Sequence, residues 1–166
     1  MTLGPRTSRA LAVACALAGL IVLPQTASAA GGPCALLTPT EIEQVVGQKV
    51  PALKASGPGM CSGSTTGFTL LLRLAQRTGG DTGMEDKAMA MVKRMGGQVE
   101  LKTFGPMTCS TVVPPANLVQ AMGFNTTCSI LKSGWVAAVE VSAKSQRDQV
   151  SIEKLRPLAE KMNSRF

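Results

Sequence analysis

Two hydrophobic periods alternate along this chain, and together they lay out its elements. Across Phe68–Gln76 apolar side chains recur at every second residue: Phe68, Leu70, Leu72 and Leu74 share one face, and Thr69, Leu71, Arg73 and Ala75 the other. The unbroken Leu70-Leu71-Leu72 makes both faces apolar at mid-strand, which predicts an interior strand. Gln98–Phe104 sets Val99, Leu101 and Thr103 against Glu100 and Lys102, the pattern of a half-buried strand. Residues 126–131 and Trp135–Ala143 read as a hairpin turning at Lys132-Ser133-Gly134. On its second strand Trp135, Ala137, Val139 and Val141 share one face. Val136, Ala138, Glu140 and Ser142 share the other, which is small and half apolar. A short strand is expected at 48–50, ended by Pro51.

Three stretches follow the helical period instead. Pro39–Val46 opens with a capping box, Thr38-Pro39-Thr40-Glu41, flanked by Leu37 and Ile42 as a hydrophobic staple and stopped by Gly47. A second capping box, Thr82-Gly83-Met84-Glu85, leads into Met84, Ala88, Met91, Val92 and Met95 at helical spacing, ended by Gly96-Gly97. This methionine stripe is expected to pack into the core. The third helix spans 148–163, with Ile152, Leu155, Leu158, Ala159 and Met162 in one stripe and Pro157 interrupting it. Residues 62–67 read as a polar turn. Residues 107–125 carry the least pattern, apart from a helical turn at 117–122 between Pro114-Pro115 and Gly123. The fold class that results is α+β: an antiparallel sheet of four to six strands with about three helices packed on it.

The first 29 residues stand outside this pattern. Arg6 and Arg9 precede an uncharged apolar run over 10–23, and Ala27-Ser28-Ala29 follows as a small-residue cleavage site. Residues 1–29 therefore read as a signal peptide cleaved near Ala29, and 30–166 as a single domain exported to the periplasm or beyond. The run is too short to span a bilayer, and no transmembrane segment is expected in the mature chain. Ala12-Val13-Ala14 ahead of Cys15 makes a poor lipoprotein box. Cys34, Cys61, Cys109 and Cys128 remain after cleavage, and an even count in an exported chain reads as two disulfides. Three pairings are open. Cys34 with Cys61 and Cys109 with Cys128 is favoured, because each pair brackets a compact stretch; the second would staple the excursion 109–128 into a loop.

Composition narrows the chemistry. Fifteen basic and ten acidic residues remain once the leader is removed, a formal charge of +5. Basic residues are spread thinly and aromatics are few, with no Tyr, one Trp and four Phe, so no nucleic-acid partner is expected. The chain has no His. Ser-His and Cys-His nucleophile systems are therefore excluded, and without C-x-x-C the cysteines offer neither a zinc site nor a redox motif. Neither Gly79-Gly80 nor Gly96-Gly97 has the spacing of a phosphate loop. No cofactor and no metal are expected. Asn125-Thr126-Thr127 matches a glycosylation sequon and is read as a chance match.

The opening, Pro33-Cys34-Ala35-Leu36-Leu37-Thr38-Pro39-Thr40-Glu41-Ile42 followed by Val46-Gly47, resembles a family of small exported bacterial proteins best known as actinobacterial lipoproteins. Cys61 stands where the family has its second Cys, and Leu158-Ala159 resembles its closing pair. The extra pair Cys109 and Cys128 and the lack of a lipobox depart from it. The resemblance implies an extracytoplasmic α+β domain and no particular activity. With no catalytic constellation in sight, the expected function is a non-catalytic binding or sensing module of the cell envelope, taking a protein or a small ligand. A carboxylate-using hydrolase and a secreted enzyme inhibitor are the alternatives. The expected contact surface is the small face at Val136 and Ala138, beside the stapled loop 109–128.

Overall fold

The computed structural model describes residues 32–77 and 84–166. The expected leader and the capping box at Thr82 lie outside the described residues. At the opening, the local rules act as the sequence dictates. Thr38 caps α1 (Pro39–Val46): its hydroxyl accepts from the Glu41 amide, the Glu41 carboxylate accepts from the Thr38 amide, and Gly47 closes the helix in the left-handed conformation. Leu37 and Ile42, on either side of the cap, are both buried in the core. The Cys34–Cys61 disulfide ties the turn just ahead of α1 to a strand.

The strands are β1 (Lys54–Gly57), β2 (Met60–Ser64), β3 (Phe68–Gln76), β4 (Gln98–Phe104), β5 (Met107–Val113), β6 (Phe124–Lys132) and β7 (Trp135–Ala143). They form one antiparallel sheet in the order β1-β2-β3-β7-β6-β5-β4. The chain's last strand thus lies at the sheet's centre, paired along its length with β3 on one side and β6 on the other. That position explains the unbroken apolar run of β3 and the small residues of β7, both hemmed in by neighbours.

Three more helices complete the chain: α2 (Met84–Arg94), α3 (Val119–Met122) and α4 (Ile152–Arg165). Helix α4 lies on β6 and β7 beside α1. It buries Ile152, Leu155, Leu158, Ala159 and Met162 against a core that includes Leu70, Leu72, Ile130, Val139 and Val141. Each large side chain contributes about 2 kcal/mol of apolar burial, enough to offset the helical hydrogen bond that interior Pro157 removes. Arg165 ends the helix by clamping α1: its two terminal nitrogens donate to the two Glu41 oxygens at 2.8 and 2.7 Å. That pairing, with the Thr38 amide, holds the Glu41 carboxyl well below the usual carboxylate range.

Five expectations need correcting. Among the described residues the sheet has seven strands and the fold four α-helices. Segment 48–50 is not a strand: Val50 is buried, but its amide donates to the Glu43 carboxylate rather than to a sheet neighbour. The stretch expected as a polar turn holds β2. Its Gly63 lets Leu53 pack close, since a Cβ there would lie 2.9 Å from a Leu53 methyl. Cys109 and Cys128 are directly opposed on β5 and β6, buried beneath α4, so their disulfide stitches two strands rather than a free loop. Only 114–123 leaves the sheet there, and its Pro114 and Pro115 are buried. Finally, the methionine stripe is turned outward. Val92 is the buried residue of α2, while Met91 is 61% and Met95 40% exposed. The helix is rotated by about a quarter turn from the arc its apolar spacing suggested, because it docks on the sheet's second face and not on the core.

Candidate functional site

One face of the sheet is covered by α1 and α4; the other is only partly covered. Strand pairing lays the second face out in rows. Arg73, Ala138, Ser129, Thr108 and Thr103 stand side by side across β3, β7, β6, β5 and β4. The next row is Leu71, Glu140, Thr127, Ser110 and Leu101. On the other side of the first row, toward the β6–β7 turn, Ala75, Val136 and Leu131 form a short apolar row. Alternation along each strand is therefore what gathers hydroxyls from β4, β5 and β6 onto one surface.

Helix α2 crosses this face and leaves a groove of about 570 Å³ beneath it. Val136 and Leu131 form its floor, Thr108 and Ser129 place hydroxyls along it, and Asp86 and Met89 of α2 line its roof. Arg73 and Arg77 stand at one end, and Leu101 lines the side along β4. The Ser129 hydroxyl donates to the Thr108 carbonyl at 3.4 Å, which leaves its lone pairs free to accept. The volume lies in the range of small-ligand sites, which combine apolar walls with a few convergent polar groups.

Glu140 sits one row from the groove, half-buried between Leu71 and Thr127. Burial pushes its carboxyl above the usual range, and the positive charge of Arg73 pulls partly against that. Among the described residues, no ion pair engages Glu140. A half-buried carboxylate without an ion-pair partner is costly at neutral pH.

The residues expected from sequence fall as follows. Val136 lines the groove. Ala138 is 4% exposed between Arg73 and Ser129, so the expected patch reduces to Val136. Cys34, Cys61, Cys109 and Cys128 form the two disulfides and stand apart from the groove. Asn125 of the sequon is built into β6, with its side-chain amide donating to the Met122 carbonyl at 3.0 Å. A glycan there would have to break that contact. The roof residues Asp86 and Met89 and the row of hydroxyls were not anticipated. Their only trace in the sequence is Ser or Thr at alternate positions of β5 and β6.

A second hollow, of about 440 Å³, lies at the far end of β4 and includes Gln98, Glu100 and Gln149. The Gln149 amide is already engaged by the Val112 and Asn125 carbonyls at 3.2 and 2.9 Å, so this hollow is a seam joining strands to the segment before α4. Among the described residues no group of three or more acidic, Cys or His side chains is placed to hold a metal ion. No helix among them is long and apolar enough to cross a membrane.

No protein-family model and no curated protein matches the chain. Among solved structures it is similar to the solution structure of cyanobacterial PsbP (CyanoP) from Synechocystis sp. PCC 6803, at 13% identity over 67% of this chain and 75% of that one, with a TM-score of 0.35. A likeness that distant carries no inference about this chain, whose two disulfides by themselves fit an extracytoplasmic location.

Proposed function

We propose that this protein is a non-catalytic binding module of the bacterial cell envelope, and that the groove beneath α2 holds its ligand. The observation that carries the reading is the groove itself: a floor of Val136 and Leu131, hydroxyls of Thr108 and Ser129, and a roof formed by a separate helix. Such a site offers shape, apolar contact and hydrogen bonds, which are the means of binding. Among the described residues its lining includes one carboxylate, Asp86, whereas carboxylate-based hydrolysis works with two converging on the scissile bond. The secreted-inhibitor alternative loses its motive, since the rigid finger it required is sheet. The resemblance of the Pro33–Ala35 opening to exported lipoproteins points toward the envelope, as does the expected cleavage near Ala29.

Anilinonaphthalene sulfonate, an amphipathic anion that fluoresces in apolar sites, serves as the probe. The exported chain should bind it saturably while retaining its near-ultraviolet circular dichroism, which separates a native site from a loosened fold. Val136→Lys should abolish the signal without moving the urea midpoint by more than about 0.5 kcal/mol, because the new side chain can reach solvent along the groove. Absence of saturable binding, or binding that Val136→Lys leaves unchanged, would refute the assignment.

A further inference from the structure

The sheet-facing side of α2 roofs the groove; its outward side has a different character. We propose that the outward arc of α2 docks on an anionic lipid surface. Met91 and Met95, the latter one residue past the helix end with its amide still donating to the Met91 carbonyl at 3.1 Å, lie one turn apart on this side and are 61% and 40% exposed. Lys87 precedes Met91 by four residues and Arg94 follows it by three, so both cations flank the methionines on the same side, and both are exposed. Ala88, small and exposed, lies on the other flank of the methionines, which lets the helix lie flush against a surface. Asp86 faces the groove instead, so the outward arc of Lys87, Ala88, Met91, Arg94 and Met95 carries positive charge unopposed by any acid of its own. Apolar side chains beside cations on one arc are the features of a helix that lies in the headgroup layer.

The charge also selects among occupants. A twofold self-association would set Lys87 and Arg94 of one copy against those of the other, like charge against like. An eleven-residue helix is about 16 Å long, and a single arc of it falls well short of the roughly 800 Å² per partner that a stable protein interface buries. An anionic bilayer satisfies both features: headgroups pair with Lys87 and Arg94, and the flexible thioether chains of Met91 and Met95 enter the boundary beneath. Docking of this kind is weak and reversible, and it presents the groove next to the membrane. The proposal stands independently of the groove reading, since its residues face away from the groove.

The test is co-sedimentation of the exported chain with phosphatidylglycerol-containing vesicles and with pure phosphatidylcholine vesicles at low salt. The N-terminus is read by mass spectrometry, so that the apolar run 10–23 is known to be absent. The parent should bind the anionic vesicles in preference to the neutral ones. Lys87→Gln and Arg94→Gln should each weaken binding about fivefold, and the pair Met91→Gln/Met95→Gln roughly tenfold. All four positions are exposed, so urea midpoints should be unchanged. The proposal is overturned if the parent binds neither vesicle, if the variants bind as the parent does, or if sedimentation equilibrium reveals a dimer that Met91→Gln/Met95→Gln dissolves.

Discussion

Helix α2 should open on its own, ahead of the rest of the fold, and Val92 is the place to measure it. Among the described side chains of α2, Val92 alone is buried, at 7% exposure. Below it the chain is drawn close: the Gly97 amide donates to the Val92 carbonyl at 3.0 Å, and a Cβ on Gly97 would stand 2.6 Å from a Val92 methyl. Val92→Ala removes two carbons worth about 0.8 kcal/mol each. Alanine's higher helix propensity returns about 0.5 kcal/mol. The net loss of about 1 kcal/mol corresponds to roughly a sixfold larger opening constant for the helix. Hydrogen exchange followed by mass spectrometry reads this directly. Peptides from α2 should exchange faster than those from β7 in the parent, and about sixfold faster again in the variant, with β7 unmoved. If α2 and β7 accelerate together by the same factor, the helix belongs to the global cooperative unit. The notion of a roof that lifts to admit a ligand then fails.

Two further outcomes follow from groups already placed. Replacing either cysteine pair by alanine should cost about 3.5 kcal/mol, the loop-closure value for separations of 27 and 19 residues, and should raise the urea m-value as the unfolded chain expands. A loss below about 1 kcal/mol would show that β5–β6 pairing and the core already restrict those loops in the unfolded chain. Glu140→Gln tests the half-buried carboxylate. Its folded-state pKa is raised by burial, so the stability tied to its protonated form is present at low pH and lost as pH rises through that raised value. Urea midpoints of parent and variant should therefore lie close together near about pH 4 and separate by about pH 7, with the variant the more stable. A constant gap, or one that closes with rising pH, would mean that Glu140 gains more from Arg73 than it loses to burial.

The elements legible in the sequence are those whose signal is local. Thr38, Pro39, Glu41 and Gly47 fix α1 through contacts within one helix, and β3, β4, β7 and α4 carry full periods of their own. The elements missed take their structure from elsewhere. In β2, Cys61 and Gly63 are small because Leu53 and α1's tether press on them, which in sequence reads as a turn. The direction of α2 was illegible for a related reason. Met91 and Met95 have the spacing of a core stripe, and only the position of the sheet reveals that the side facing it is Met89 and Val92. The groove is illegible for the same reason, since its floor, hydroxyls and roof come from α2, β5 and the β6–β7 hairpin, which are separated in sequence. Val136 was within reach because a small apolar position on the polar side of β7 is locally unusual.

An open sheet also has two ends where backbone donors and acceptors face outward, and another chain could pair there. At one end β1 has four residues and a register shift between Ala55 and Gly57 that bends it away from a flat template. At the other, β4 presents Glu100 and Lys102, with Lys102 held by Glu100 and by Glu153 of α4. Short length, a bulge and fixed charge are the devices that keep sheet edges from annealing. During folding, before the sheet is complete, copies of the chain meet with such margins exposed. These two unremarkable margins therefore guard it against strand-by-strand aggregation, and substituting Lys102 by an apolar β-branched residue would remove that guard at the longer margin.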